Sequence, residues 1–211
     1  MWPLYVINTV RASNDRSDIS FLSSSSAHGT IESLPWTDHF AQELYLDAST
    51  PDAKVVYHAY LTPPSPRGPL FVTHHGAGSS GLSFAILASG LRRLLPTAGV
   101  LSIDARGHGD TIIQRLHSDQ TSLSSPRDTD VLDLSLETLC SDLVNAIRLT
   151  QVKMGWKELP ELVLVGHSLG GAVVTNVARQ GELGNRILGY AVLDVVEGMC
   201  IYVKHALGQI C

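Results

Sequence analysis

Leu162-Val163-Leu164-Val165-Gly166-His167-Ser168-Leu169-Gly170-Gly171-Ala172-Val173-Val174 is the stretch whose reading decides the fold of this 211-residue chain. The four leading apolar residues read as a buried strand and the run of small residues at the end suits a helix. Between them a serine stands in Gly166-His167-Ser168-Leu169-Gly170, the G-x-S-x-G pattern of a nucleophile elbow, where a strained turn lifts the hydroxyl clear of the sheet. The glycines are needed because a Cβ at either flank would collide with neighbouring backbone. The pattern predicts a strand over 162–165, a helix over 170–179, a positive φ at Ser168 and Ser168 Oγ as nucleophile. A glycine turn of this form also arises by chance. The strand and helix around it favour the elbow.

Working outward, Leu70-Phe71-Val72-Thr73 reads as a strand opening into His74-His75-Gly76-Ala77-Gly78-Ser79-Ser80. A His-Gly-x-Gly loop lets the main chain approach a substrate carbonyl, so the N–H of Ala77, or that of Gly76, would join the N–H of Leu169 as an oxyanion hole. A phosphate cradle is the other reading of such a loop, but the Lys-[Ser/Thr] of a Walker A motif is missing. His74 and His75 are poor metal co-ligands, because adjacent strand residues point to opposite faces; they read as one buried and one loop histidine. Val100-Leu101-Ser102-Ile103 is a further strand, followed by Asp104-Ala105-Arg106-Gly107-His108-Gly109-Asp110. His108 could serve as base with Asp104 orienting it, yet the turn is better read as a hydrogen-bonded brace beside the site. Asp194 ends the apolar run Ile187 to Leu193 and so stands at the carboxyl edge of a strand, where the elbow also opens. It is either a catalytic acid or a cap for the next turn.

His75-Gly76-Ala77-Gly78-Ser79-Ser80, Asp104-Ala105-Arg106-Gly107-His108-Gly109-Asp110-Thr111, the elbow and Leu193-Asp194-Val195-Val196-Glu197-Gly198 together resemble the protein phosphatase methylesterases. These are serine hydrolases of the α/β-hydrolase fold. The first three motifs are common to many hydrolases, and Asp-Val-Val-Glu-Gly is the specific one. The resemblance runs from about Leu34 to Gly198 and implies an esterase that removes the methyl ester from the carboxy-terminal leucine of the type 2A protein phosphatase catalytic subunit, its partner. It implies Ser168 as nucleophile, Asp194 as the acid orienting a histidine, and no cofactor or metal. The family's base lies on a late loop well beyond the acid, whereas this sequence ends seventeen residues after Asp194 with His205 the sole histidine in between. The expectation is therefore a domain incomplete at its carboxy-terminus and without the catalytic histidine. A generic serine esterase on small esters and a catalytically dead phosphatase-binding fragment are the competing readings.

Alternating strands and helices predict a mostly parallel sheet with helices on both faces. Val55 to Leu61 is an early strand, joined to the next through Pro63-Pro64-Ser65-Pro66-Arg67-Gly68. Apolar residues from Leu82 to Leu95 recur at helical spacing. The Ser-, Asp- and Thr-rich stretch from Gln114 to Asp133 reads as a surface loop, and Leu136, Leu139, Leu143, Ile147 and Val152 as one apolar helix stripe. Residues 1–33 read as a disordered polar leader, 34–198 as a partial hydrolase domain, and 199–211 as an atypical tail. A net charge of −5 argues against nucleic acid or an anionic membrane as partner. The three cysteines lack metal spacing and fit free thiols in an intracellular protein of the cytoplasm or nucleus. Cys140 reads as a small core residue.

Overall fold

The computed structural model describes residues 35–116 and 133–194; the leader, the Asp-Val-Val-Glu-Gly stretch beyond Asp194, and the tail with His205 lie outside the described residues. Among the described residues, four strands form a parallel block on one side of the sheet: β3 (Leu70–His74), β4 (Gly99–Ile103), β6 (Leu162–His167) and β7 (Ile187–Leu193). On the other side, β1 (Gln42–Asp47), β2 (Ala53–Thr62) and β5 (Ile112–Arg115) extend it antiparallel, with β2 pairing all of β1, β4 and β5. The spatial order is β1-β2-β4-β3-β6-β7, with β5 on β2.

Among the described residues, three helices cover the sheet: α1 (Ala85–Leu94), α2 (Leu136–Lys153) and α3 (Leu169–Gln180). The strands decide which helix goes where by alternation. Leu70 and Val72 on β3, Ala59 and Leu61 on β2, and Leu101 and Ile103 on β4 face the core built with α2 and α3. Tyr60, Phe71 and Val100, one residue out of phase, face Ala88 and Leu91 of α1 on the other side. From β3 the chain crosses by α1 to β4, then by α2 back over β3 to β6. The direction of winding therefore reverses between β3 and β6, and the carboxyl ends of those two strands frame the crevice where sites form in open α/β sheets.

The sequence expectations of a mostly parallel sheet and of helices on both faces describe the block that carries the site. β2 and β3 run one or more residues beyond their predicted ends, the stretch from Leu82 begins as a 3-10 turn over Gly81–Phe84 before α1, and β1 is a strand that no pattern above delimits. Gln114 and Arg115, expected in a surface loop, instead close β5, because Ile112 and Ile113 carry pairing with Val56 and Val55 two residues further. Residues 117–132 of that expected loop lie outside the described residues. Val152 is also corrected: it is 77% exposed. Helical spacing explains this, since Leu139, Leu143 and Ile147 stay within one narrow stripe while Val152 falls nearly half a turn away, and Thr150 takes the buried position. Cys140 is buried as expected, its thiol against Val173 O of α3 and its sulfur accepting from Asn176 Nδ2.

This packing predicts unequal costs along α2. Leu143→Ala removes a fully buried side chain from the main core and is expected to cost about 2–5 kcal/mol, whereas Val152→Ala should stay within about 0.5 kcal/mol, both read from denaturant midpoints.

Candidate active site

β6 runs straight into α3, and the only residue between them is Ser168, at φ 50° and ψ −118°. A non-glycine residue there carries strain of about 1–3 kcal/mol, which must be imposed by its surroundings. The clamp is steric. A Cβ on Gly166 would lie 2.2 Å from Gly170 O, and one on Gly170 would lie 2.1 Å from His74 O at the end of β3. Ser168 N–H donates to Leu193 O of β7 at 3.0 Å, and Ser168 O accepts from Gly171 N–H at 2.8 Å. Serine at a helix N-cap ordinarily accepts a hydrogen bond from the first turn. Here Ser168 makes no such side-chain cap, so its hydroxyl stays available.

The loop after β3 lies against this turn. A Cβ on Gly76 would come within 3.0 Å of both Ser168 Cβ and His167 Nδ1, so the bare main chain of Gly76 borders the serine. Gly76 is buried and Ala77 exposed. Leu169, as first residue of α3, has an N–H that the helix leaves without an internal partner, at the positive end of the helix dipole.

Asp194 directly follows the Leu193 carbonyl that accepts from Ser168 N–H, so the serine and the carboxylate are held on adjacent strand ends. Its φ is 47° and its side chain is 88% exposed; the nearest imidazole nitrogen is His167 Nε2 at 3.9 Å. Among the described residues no histidine hydrogen-bonds Ser168 Oγ. His205 lies outside them.

His108 is engaged as a brace. Its Nε2 accepts from Gly78 N–H at 2.9 Å and its Nδ1–H donates to Arg106 O at 3.0 Å. His74 at the end of β3 is the buried histidine and His75 the loop histidine, as expected, and the loop one is buried as well, each being 1% exposed. Each is buried because its ring closes backbone bonds: His74 Nδ1–H donates to His75 O, while His75 Nδ1–H donates to Gly76 O and its Nε2 accepts from Ala105 N–H. Burial drives the His74 pKa down to about 4, so the ring is neutral. Burial likewise lowers that of His75, as its acceptor role requires.

Sequence reasoning missed the network beneath the loop. His58, fully buried on β2, donates from Nδ1 to Asp104 Oδ2 at 2.7 Å and pairs through Nε2 with Glu43 Oε1 at 2.9 Å. Asp104 also accepts from Gly81 N–H at 2.6 Å and Asp110 N–H at 3.1 Å. Arg106 forms a two-pronged pair with Asp142, which also accepts from Tyr57 OH. The one available signal was a histidine inside the apolar run of β2. Glu43, His58 and Asp110 offer ligand atoms within 4.8 Å of one another, but both His58 nitrogens already serve carboxylates.

Burial opposes a charge on His58, but its hydrogen bonds to Asp104 and Glu43 outweigh it and raise the imidazole above its usual 6.5. The stabilisation is therefore fully present below about pH 6.5 and is lost as pH rises through the folded value. The expected outcome is that His58→Gln costs most stability near pH 6 and progressively less toward pH 9, measured by urea unfolding at each pH.

Residues 70–205 match the α/β hydrolase family. The chain is 57% identical over 178 residues to protein phosphatase methylesterase 1 of Aspergillus fumigatus, covering 84% of this chain and 40% of that relative. It is 59% identical over 169 residues to the protein of the same name from Aspergillus oryzae, covering 80% and 38%, and 35% identical over 167 residues to that of Schizosaccharomyces pombe, covering 77% and 43%. The chain thus spans about 40% of the length of these curated relatives. Among solved structures, the esterase EaEST from Exiguobacterium antarcticum has a TM-score of 0.50 at 17% identity, covering 72% of this chain and 44% of that one. The epoxide hydrolase VrEH1 from Vigna radiata has a TM-score of 0.51 at 16% identity, covering 77% and 46%. With the sheet order, the serine turn and the family match in agreement, the chain belongs to the α/β hydrolase family.

Proposed function

We propose that this chain carries the nucleophile half of a serine carboxylesterase that demethylates the carboxy-terminal leucine methyl ester of the type 2A protein phosphatase catalytic subunit. The observation that carries the reading is Ser168 on its strained turn, with a hydroxyl not spent on capping α3 and the main chain of the glycine loop beside it. The names of the relatives, protein phosphatase methylesterase 1, support the substrate class.

In this reading Ser168 Oγ attacks the ester carbonyl and gives up its proton to a histidine oriented by Asp194. The developing oxyanion accepts from the N–H groups of Leu169 and Ala77, methanol leaves, and water releases the acyl group from Ser168. The end of α3 adds its positive dipole on the side of the oxyanion. A donor lost from such a hole typically costs about 100- to 1000-fold in turnover, so the contacts of the 76–78 loop contribute substantially, though less than the serine itself. Among the described residues no helix is long and apolar enough to cross a membrane.

The test uses the chain extended with the carboxy-terminal part of the Aspergillus fumigatus relative, assayed for methanol release from a peptide ending in leucine methyl ester. Ser168→Ala should lower turnover by about a million-fold and Asp194→Asn by about ten-thousand-fold. Full activity in the Ser168→Ala protein would overturn the assignment. The 211-residue chain alone should label with a fluorophosphonate far more slowly than the extended one. Equal labelling would place the proton acceptor within these 211 residues.

A further inference from the structure

The crevice at the carboxyl ends of the strands does not account for the opposite end of the sheet. There the link between β2 and β3, Pro63-Pro64-Ser65-Pro66-Arg67-Gly68-Pro69, borders a groove of about 660 Å³ together with the turn before β6. Its charged lining comprises Arg67, Lys157 and Arg186 with Glu158 and Glu161. Arg186 is paired with Glu158, while Arg67 and Lys157 have no carboxylate partner among the described residues. The groove holds two uncompensated cations against the one carboxylate of Glu161.

The loop itself is built to display Ser65. Ser65 N–H donates to Thr97 O at 2.9 Å and Gly68 N–H donates to Ser65 O at 2.8 Å, closing a turn with Pro66 in its second position. Arg67 in the third position has φ 67°, the left-handed conformation a turn of this type demands and one that favours glycine. An arginine there projects a cation beside the serine. Ser65 is exposed, and its hydroxyl makes no hydrogen bond among the described residues. Pro66 directly follows the exposed Ser65, the residue order that a proline-directed kinase requires.

We propose that Ser65 is a phosphorylation site for a proline-directed protein kinase, and that Arg67 and Lys157 hold the resulting phosphate at the rim of this groove. Ser65 Oγ attacks the γ-phosphorus of ATP. The Oγ–P bond forms as the bond from that phosphorus to the β-γ bridging oxygen breaks, the hydroxyl proton passes to the kinase's catalytic carboxylate, and ADP leaves. The product carries close to two negative charges and three acceptor oxygens, which suit two unpaired cations.

The other serine or threonine residues that precede proline in the described part fit less well. Thr62 is 9% exposed. Thr50 is exposed, but its neighbours Asp47 and Asp52 would repel a phosphate. The modified residue would sit at the amino end of the parallel block, about 20 Å along β6 from Ser168, so it provides an address separate from the catalytic crevice.

The experiment incubates the folded 211-residue chain carrying Ser125→Ala, which removes a second Ser-Pro pair outside the described residues, with ATP and a mitogen-activated-type kinase. One phosphate mapped to Ser65 by peptide mass spectrometry is expected, with at least a tenfold loss of incorporation in Ser65→Ala. No phosphate on Ser65, or equal incorporation in Ser65→Ala, overturns the site. Phosphorylation should also raise the melting temperature by about 2–4 °C, and Arg67→Ala with Lys157→Ala should abolish that increment. An unchanged or lowered melting temperature on phosphorylation overturns the capture of the phosphate by the groove.

Discussion

The contact between the α-carbon of Gly170 and the carbonyl oxygen of His74 is the constraint on which the rest of the site depends. Any side chain at position 170 would have to pass within 2.1 Å of that oxygen, so the first turn of α3 can rest on the end of β3 only because nothing projects from it. That approach brings the elbow over the centre of the sheet, and Gly166 folding under Gly170 completes the reversal. Ser168 is left where neither neighbour allows ordinary backbone angles. The strain at Ser168, about 1–3 kcal/mol, is small against the burial of the α3 face carrying Val173, Val174 and Val177, all fully buried. The helix is held by its core, and the serine takes the conformation that the helix and strand dictate.

A second layer fixes the glycine loop. Three bonds tie it to the turn after β4: Ala105 N–H to His75 Nε2, Gly78 N–H to His108 Nε2, and Gly81 N–H to Asp104 Oδ1. In two of them an imidazole is the acceptor, and a protonated ring nitrogen cannot accept. Burial supplies what His75 needs, since desolvation disfavours its charged form. The same low dielectric works differently on His58, where two carboxylates outweigh desolvation and favour the imidazolium. Two histidines that bond the adjacent residues Asp104 and Ala105 are thus assigned opposite protonation tasks by what lies at their nitrogens. Each neutral bond is worth about 1 kcal/mol, and leaving the buried Ala105 N–H unmet would cost about 1–3 kcal/mol, which holds the loop beside the serine.

The elbow, its strand and helix, and the loop after β3 were legible in the sequence because each rests on local steric rules. Glycines next to a serine, an apolar run before it and small residues after it leave little freedom in the backbone. Val152 was misread because an apolar residue at the end of a helix was joined to a stripe without following the rotation through to that turn. β5 was absorbed into a polar loop because four residues are too few for alternation to stand out, and its pairing partner, β2, lies some sixty residues earlier. The Glu43–His58–Asp104 chain was invisible for a related reason. Its members come from β1, β2 and the end of β4, and only the antiparallel register of β1 on β2 and of β2 on β4 brings them together.

The two aspartates at strand ends illustrate how position decides chemistry. Asp104 is 2% exposed. Burial pushes its pKa up, but His58 and the N–H groups of Gly81 and Asp110 more than compensate and hold it below the usual carboxylate value. Its oxygens are already committed to those three donors, so accepting from a catalytic imidazole would require breaking a buried bond. Asp194 directly follows β7, with φ 47° and a side chain 88% exposed. Its backbone is pinned beside the elbow by the bond from Ser168 N–H to Leu193 O, while its carboxylate has no hydrogen-bond donor within reach among the described residues. Orienting a histidine calls for an acceptor that is fixed in place yet uncommitted. Of the two carboxylates, only Asp194 combines a fixed backbone with free oxygens, and this supports giving the acid role to it rather than to the better buried Asp104.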